Sequence, residues 1–359
     1  MSSAAVNDID ALHVPPLLIV EHLSVRLQTA RGAAYAVRDV SFTLRAGETL
    51  GIVGESGCGK SMMALSLLGL GPESAVLEGK VQFEGRSLIG LAEPQLAALR
   101  GNRIGFVFQE PMTALNPLHT VGKQIAETLR LHRQMDRAAA RQRVIELLDR
   151  VGIANAASRI DAYPHQLSGG QRQRVTIAMA LACDPVLLIA DEPTTALDVT
   201  IQKQILELIA SLVAERGMAM MLISHDLGVI ARNVRKMMVM YGGVAIESGV
   251  TSKVLSERAH PYSQGLFAAR PQLGAGRGRQ LPTIAGTVPE LADMPKGCPF
   301  ADRCARYISA CSLALPPVTQ LAPAHDVRCI RANDSPVATN ISGSAEMPIG
   351  IPTGSPDVR

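Results

Sequence analysis

Residues 54–61, Gly-Glu-Ser-Gly-Cys-Gly-Lys-Ser, constrain the fold of this chain more than any other stretch. The apolar run Thr49–Val53 precedes them and the helix-compatible segment Met62–Leu70 follows, which predicts a strand, a loop and a helix. Glycines let several backbone N–H groups point into one concavity, and the helix N-terminus adds its positive end. The pattern predicts a triphosphate site in which Lys60 contacts the β- and γ-phosphates and Ser61 binds magnesium. The loop residues expected at the nucleotide are Gly54, Glu55, Ser56, Gly57, Cys58, Gly59, Lys60 and Ser61, with Cys58 as a small filler.

The charge balance and the apolar content of the chain limit the classes of partner that it can bind. Its 359 residues contain 35 Lys and Arg against 32 Asp and Glu, and aromatic residues make up 3%. So balanced a charge and so few stacking rings argue against a nucleic-acid partner. No apolar run approaches the roughly 20 residues that cross a bilayer, and residues 1–10 lack the basic start of a secretory signal. We therefore expect a cytoplasmic protein that reaches a membrane only through partner subunits.

The order of apolar patterns predicts an α/β fold. Short alternating strands are expected at Leu18–Val20, Leu23–Leu27 and Val40–Leu44. A helical pattern then runs over about 93–170, and the arginines of this stretch are interpreted as a solvated helix face. After Gln171, helices alternate with apolar strands such as Ala219–Ser224, as in a parallel sheet with crossover helices. The predicted divisions are a tail (1–16), a nucleotide-binding domain (17–269) with its helical subdomain at about 93–170, a C-terminal extension (270–330) and a disordered tail (331–359).

Two further motifs point to phosphate chemistry. The apolar run at 187–190 ends in Asp191 and Glu192, which places two carboxylates at the open end of a parallel sheet. Asp191 suits magnesium binding, and Glu192 suits a base that polarises the attacking water. Residues 167–171, Leu-Ser-Gly-Gly-Gln, precede a helix expected to begin near Gln171 and so form a second anion site. Two phosphate-directed sites in one chain are unusual.

Taken together, these motifs resemble the ATP-binding cassette (ABC) ATPases over about residues 17–267. The remaining hallmarks are Gln109 after Val107-Phe108, the run Ala196-Leu197-Asp198, and His225 after Ile223-Ser224. Tyr35 lies where the family places a ring that stacks on adenine. The fold implied is a P-loop cassette: a RecA-like mixed sheet core with an N-terminal antiparallel part, a helical subdomain, and here a small cysteine-bearing extension.

The resemblance also implies a mechanism that needs two cassettes packed head to tail. Each ATP then lies between the phosphate loop of one cassette and the signature of the other. Glu192, His225 and Gln109 are the expected catalytic residues, while Ser61, Gln109 and Asp191 would hold magnesium. The signature residues Ser168, Gly169, Gly170 and Gln171 and the nearby Asp198 are expected at the composite nucleotide site, with Ser168 and Gly170 acting on the partner's ATP.

A narrower resemblance is to the ATPase subunits of bacterial oligopeptide and dipeptide importers. It is carried by residues 108–117 (FQEPMTALNP), by 260–266 (HPYSQGL), and by the segments 286–289, 297–300 and 303–304. The implied function is to power peptide import at the cytoplasmic face of the inner membrane. The implied partners are a second, related ATPase chain, two transmembrane permease subunits and an extracytoplasmic solute-binding protein. Relatives that serve nickel, glutathione or another small solute are the alternative within the family.

The C-terminal part of the sequence contains four cysteines that could share a metal site: Cys298, Cys304, Cys311 and Cys329. They are separated by five, six and seventeen residues, and disulfides are disfavoured in a reducing cytoplasm. Four thiolates suit a four-iron four-sulfur cluster or zinc, although paired two-residue spacing is absent. In some importers of this group the matching cysteines are associated with an iron–sulfur cluster. The resemblance therefore favours a 4Fe-4S cluster beside ATP and Mg2+, with unoccupied thiols and zinc as alternatives.

Two other functions compete with import. A soluble cassette ATPase of DNA repair or translation predicts a long coiled-coil insertion, fused twin cassettes or a basic face, and the sequence contains none of these signatures. A metal-cluster interaction module with a vestigial ATPase conflicts with the presence of Glu192 and His225. The ATPase subunit of an importer is the leading hypothesis.

Overall fold

Two sheets with helices packed on them make up the computed structural model, which describes residues 15–195, 197–269 and 283–334. Predictions for residues 1–14, Ala196, 270–282 and 335–359 lie outside the described residues. The strands are β1 Leu18–Thr29, β2 Gly32–Leu44, β3 Thr49–Val53, β4 Val76–Phe83, β5 Arg86–Ser87, β6 Ile104–Val107, β7 Leu187–Asp191, β8 Ala219–Ser224, β9 Lys236–Tyr241, β10 Val244–Val250, β11 Thr319–Ala322 and β12 His325–Val327. The α-helices are α1 Lys60–Leu67, α2 Glu93–Leu99, α3 Pro111–Ala114, α4 Val121–Arg133, α5 Arg137–Arg150, α6 Ala156–Arg159, α7 Gly169–Ala180, α8 Val199–Arg216, α9 Leu227–Asn233, α10 Thr251–Glu257 and α11 Pro261–Ala268.

The smaller sheet is antiparallel, with the order β2-β1-β4-β5. The two runs predicted at Leu18–Val20 and Leu23–Leu27 belong to one strand, β1, which is interrupted by register shifts against β2. His22 lies in the first irregularity with a positive φ of 53°, so the strand bends without ending. The predicted N-terminal antiparallel part is thus confirmed, with longer strands than the sequence pattern indicates.

The larger sheet is mixed, with the order β11-β12-β10-β9-β3-β8-β7-β6. Its centre is parallel, because β3 pairs with both β8 and β9, and β7 pairs with both β8 and β6. Alternate residues of β3 pack into the two hydrophobic clusters on opposite faces, Ile52 into one and Val53 into the other. Burial on both faces explains why the central strands read as continuous apolar runs. The carboxyl ends of β3, β6, β7 and β8 therefore lie at one edge.

The C-terminal extension is built into this sheet. Strand β12 pairs antiparallel with β10, and β11 pairs with β12, so the segment predicted as the extension adds two strands to the larger sheet. His325 of β12 is completely buried, with Nδ1 2.7 Å from a Glu257 oxygen and Nε2 2.9 Å from a Glu247 oxygen. These two side-chain contacts, both made by one buried ring, join β12 to residues of β10 and α10. The extension is consequently continuous with the core.

The helical subdomain lies between β6 and α7. Four helices, α3 to α6, follow β6, and the buried residues of α5 (Ala140, Val144, Leu147, Leu148) recur at helical spacing. The helical pattern of about 93–170 gives no sign of β6, a four-residue strand paired with β7. None of the helices within the described residues has the length and apolar character needed to cross a bilayer.

Candidate nucleotide site

The phosphate loop connects the end of β3 to the start of α1. Gly59, the last residue before α1, has a left-handed φ of 94°, and a Cβ there would lie 2.4 Å from the Ala36 carbonyl oxygen. Only glycine meets both conditions without strain. Among the described residues, no side chain caps the N-terminus of α1. Its first N–H groups therefore have no capping side chain, an arrangement that suits an anion.

Lys60 is buried within the loop. Its side chain ammonium donates to the carbonyl oxygens of Gly54 at 2.9 Å and Glu55 at 3.1 Å. A third, weak contact goes to Cys58 Sγ at 3.8 Å. A phosphate oxygen that enters the concavity competes only with this weak contact for the third proton of the ammonium. Cys58 is fully buried, and burial raises the pKa of its thiol, as expected of a small filler.

Ser61 and Asp191 form the candidate magnesium position. The Ser61 hydroxyl donates to an Asp191 carboxylate oxygen at 3.0 Å, which joins the start of α1 to the end of β7. Burial and the neighbouring charge of Glu192 raise the pKa of Asp191, although the Ser61 hydrogen bond and Lys60 oppose the shift. A cation would relieve this cost of a buried carboxylate, and hard oxygen donors suit Mg2+. The donor set fits the ion.

Glu192 is the point at which the predicted catalytic side chains meet. One of its carboxylate oxygens lies 3.0 Å from His225 Nδ1 and accepts hydrogen bonds from Gln109 Nε2 at 3.4 Å and Thr195 Oγ1 at 3.0 Å. Its backbone has a φ of 44°, a left-handed value that a residue other than glycine adopts at a cost of about 1–3 kcal/mol. The strained backbone and three side-chain contacts fix the carboxylate at the edge of the sheet, beside the phosphate loop.

The signature residues lie at a different helix. The Ser168 hydroxyl accepts from Gln171 N at 3.3 Å, and the Gln171 side-chain oxygen accepts from Ser168 N at 3.0 Å, which forms a capping box at the start of α7. Helix α7 begins at Gly169, two residues before the predicted start. A Cβ on Gly170 would lie 2.8 Å from Ile201, so α8 packs closely there. Ser168 and Gly169 are exposed.

Tyr35 and Asp198 occupy the flanks of these two loops. Tyr35 lies on β2 next to Ala36, the residue that contacts Gly59, and 37% of it is exposed. A ring held beside the loop with an open face suits stacking on a base. Asp198 caps α8 by accepting from Ile201 N at 3.0 Å.

Sequence reasoning missed three residues at this site. The Tyr262 hydroxyl accepts from the backbone N–H of Glu55 at 3.0 Å, and Arg303 donates to both Glu55 carboxylate oxygens at 3.2 and 3.0 Å. Thr195, which bonds to Glu192, is the third. Tyr262 and Arg303 lie within segments that carry the resemblance to peptide importers, but nothing in the sequence indicates that they reach the phosphate loop.

The four cysteines of the extension are brought together, as their predicted shared site requires. Cys298, Cys304, Cys311 and Cys329 line one small cavity of about 10 Å³ together with His260 and Arg306. Burial raises the pKa of the Cys298 thiol to about 12, and the neighbouring thiols add to the shift. As the side chains stand, however, no group of three or more His, Cys, Asp or Glu residues in the described ranges is placed to hold a metal ion. All four thiols are free.

Comparison with known proteins identifies the family. A family model of ABC transporters matches residues 37–195, and one of the oligopeptide/dipeptide transporter C-terminal region matches residues 246–311. A Brucella ovis protein named as a peptide import ATP-binding protein is 47% identical over 328 residues, which cover 88% of this chain and 97% of the relative. The chain belongs to the ABC ATPases of the oligopeptide/dipeptide transporter family. A similarly named Brucella abortus relative is 50% identical over 320 residues, covering 89% and 96% of the two chains.

Solved structures agree with this family. The ABC cassette MJ0796, a dimer bound to ADP and phosphate, matches with a TM-score of 0.59 and 30% identity over 65% of this chain and 98% of its own. The cbiO1 protein of Clostridium perfringens, part of an ABC transporter complex, matches with a TM-score of 0.57 and 27% identity over 68% and 92% of the two chains. The predicted family, the cassette fold and ATP hydrolysis as the activity are confirmed.

Proposed function

We propose that this ABC ATPase powers the import of peptides through a membrane complex. The observation that carries the proposal is the joining of two parts in one fold: the residues that converge on Glu192, and an extension of the oligopeptide/dipeptide type that completes the core sheet. The proposed partners are a second, related ATPase chain, two permease subunits and an extracytoplasmic binding protein, which place this chain at the cytoplasmic face of the membrane.

The proposed mechanism follows from the contacts around Glu192. Lys60 and the N–H groups of α1 bind the phosphates. Ser61, Asp191 and Gln109 would hold Mg2+, which would supply charge neutralisation at the γ-phosphoryl group. Glu192 orients and polarises the attacking water, and its bond from Thr195 keeps the carboxylate aimed at the edge of the sheet. Fixed donors stabilise the charge that develops on the phosphoryl oxygens, and His225 is one of them.

Ser168 and Gly170 are proposed to complete the partner's site. The Ser168 oxygen already accepts from Gln171 N, but a hydroxyl has one proton left to donate. That proton is available to a γ-phosphate brought by a second cassette. Because the capping bond persists during such a contact, the signature loop needs no rearrangement to act in trans.

The solute is tested in the reconstituted complex. The chain would be co-expressed with candidate permease and binding-protein genes, and ATP turnover measured in proteoliposomes with dipeptides, longer peptides, glutathione or nickel. We expect stimulation by peptides only. Stimulation by nickel or glutathione alone would identify that solute, and not peptide, as the transported substrate. Failure to assemble with any permease would favour a soluble ATPase.

We further propose that the four cysteines hold a 4Fe-4S cluster. The supporting observation is a pair of buried N–H donors that line the same cavity, His260 Nε2 and Arg306 Nε, each without a hydrogen-bond partner among the described residues. His260 Nδ1 accepts from Tyr262 N at 3.0 Å, so its remaining proton is on Nε2. Two unsatisfied donors beside four thiols suit a negatively charged sulfur centre. Loading would require the thiols to move closer together.

Metal analysis of anaerobically purified protein tests the cluster. We expect iron, acid-labile sulfide and visible absorbance that Cys304→Ser abolishes. Cys183→Ser is the matched control, because Cys183 is fully buried but lies outside this cavity. If the protein contained zinc and no iron, the site would be a zinc site and the cluster proposal would be wrong. Colourless protein free of both metals would refute a metal centre.

A further inference from the structure

We propose that Arg303 and Tyr262 are positioning residues for nucleotide binding, although both lie outside the cassette motifs. They reach the phosphate loop through one residue, Glu55, and hold its backbone and its side chain separately. This inference rests on nucleotide binding, which the family shows, and it does not depend on a metal at the cysteines.

Tyr262 fixes the peptide of Glu55. Its ring is completely buried in contact with Tyr241 and Phe300, with ring centroids 4.7 and 5.4 Å away. Rings packed in this way have little freedom, so the hydroxyl that accepts from Glu55 N stays in place. The first turn of the loop is therefore oriented by a side chain from α11, 207 residues later in the chain.

Arg303 fixes the Glu55 carboxylate. Nη1 alone faces the carboxylate and shares its two protons among both Glu55 oxygens and the Tyr241 hydroxyl, which is 3.1 Å away. Nε and Nη2 donate to the carbonyl oxygens of Ala285 at 2.8 Å and Ile284 at 3.2 Å. Only 7% of the Arg303 side chain is exposed. A planar fork with its donors occupied in this way is a rigid clamp, which a lysine ammonium cannot reproduce.

The charge of Glu55 gives this clamp its effect on nucleotide binding. A carboxylate within the phosphate loop repels the phosphates of an incoming nucleotide unless a cation neutralises it. Arg303, a residue of the extension, supplies that cation by contacting the Glu55 carboxylate, whereas Lys60 contacts the Glu55 backbone carbonyl. Loss of Arg303 should accordingly weaken nucleotide binding even where the protein remains folded.

Calorimetric titration of the full-length chain with MgADP tests this role, with thermal melting as the check on folding. For Arg303→Gln we expect a dissociation constant raised on the order of tenfold, the size of one lost charged hydrogen bond. Arg303→Lys should restore only part of the affinity. In a Glu55→Gln background, Arg303→Gln should change the affinity by less than about twofold, since no carboxylate is left to neutralise.

Arg328→Gln is a closely matched control. Arg328 also belongs to the extension, is also 7% exposed, pairs with the cassette residue Asp39 at 2.9 Å, and directly precedes a cysteine, as Arg303 does. It makes no hydrogen bond to the phosphate loop, so its loss should lower the melting temperature without changing MgADP affinity. The proposal would be overturned if Arg303→Gln and Arg328→Gln weakened MgADP binding equally. It would also be overturned if Arg303→Gln weakened binding as much in the Glu55→Gln background as in the wild type.

Discussion

The phosphate loop and the signature loop both precede a helix, yet the structure treats the two helix ends in opposite ways. The phosphate loop is uncapped and enclosed, since Lys60 is buried and Glu55 is held by Tyr262 and Arg303. The signature loop is exposed and capped by its own Ser168 and Gln171. An uncapped helix end leaves its N–H groups for a ligand, whereas a capped one is stable before any ligand arrives.

The difference indicates a division of labour within one chain. The phosphate loop is a concavity that a nucleotide must enter, and its surroundings come from β2, α11 and the extension. The signature loop presents a small, satisfied surface with one hydroxyl proton to spare. Such a surface suits contact with a site that another molecule brings. Variants of the two loops should therefore fail at different steps.

Glu192→Gln gives the largest expected effect, because it acts at the phosphate-loop site itself. An amide keeps the bonds from Thr195 and Gln109 in reach but cannot act as a base, so we expect ATP turnover to fall by at least about 100-fold. ATP binding should persist, and a closed dimer should accumulate at high ATP. Turnover assays and size-exclusion chromatography measure the two effects. Turnover at the wild-type rate would show that Glu192 is not the base.

Ser168→Asp distinguishes the two roles of Ser168, which are to cap α7 and to contact the γ-phosphate bound by a partner cassette. Aspartate caps a helix as well as serine does, so the melting temperature should stay close to that of the wild type. Its negative charge, however, would face a partner's γ-phosphate, and we expect turnover of the assembled ATPase to fall on the order of tenfold or more while MgADP binding to the isolated chain is unchanged.

Thr120→Asp is the matched control for this variant. Thr120 caps α4 by accepting from Lys123 N at 3.4 Å, so the same substitution changes a helix cap that belongs to neither loop. It should leave both turnover and stability nearly unchanged. If Thr120→Asp lowers turnover as much as Ser168→Asp does, the signature serine has no special contact with the nucleotide.

More of the structure of the two loops than of the extension can be predicted from the sequence. The bounds of β3 and β8 match the predicted runs, and two of the residues that contact Glu192, His225 and Gln109, are predicted from motifs. The third, Thr195, is not, because no motif marks it. Strand β6 was missed since a four-residue apolar run fits a helix or a strand equally well. The contact of Arg303 with Glu55 joins residues 248 positions apart, which no local pattern encodes.

The smallest expected effect concerns the anchor of β3, the strand that leads into the phosphate loop. Glu48, just before β3, receives hydrogen bonds from Lys236 Nζ at 2.8 Å and from Arg45 N at 2.9 Å. Burial pushes the pKa of Glu48 upward, but these bonds and the two positive charges outweigh it and hold the pKa below its usual 4.5. A lowered carboxyl pKa means that the folded state binds fewer protons than the unfolded state, so the stabilisation is present above pH 4.5 and is lost as the pH falls.

Glu48→Gln should therefore lower the free energy of unfolding at pH 7 by about 0.5 kcal/mol, a modest value because the pair is partly exposed. Urea unfolding of both proteins at a series of pH values measures the gap. We expect the gap to close as the pH falls below the ordinary pKa of glutamate, because both proteins are then uncharged at this position. ATP turnover should change little, since the anchor lies at the amino end of β3, remote from the loop. A gap that stays constant across the series would mean that Glu48 stabilises the strand by packing and neutral hydrogen bonds, and that its charge contributes nothing.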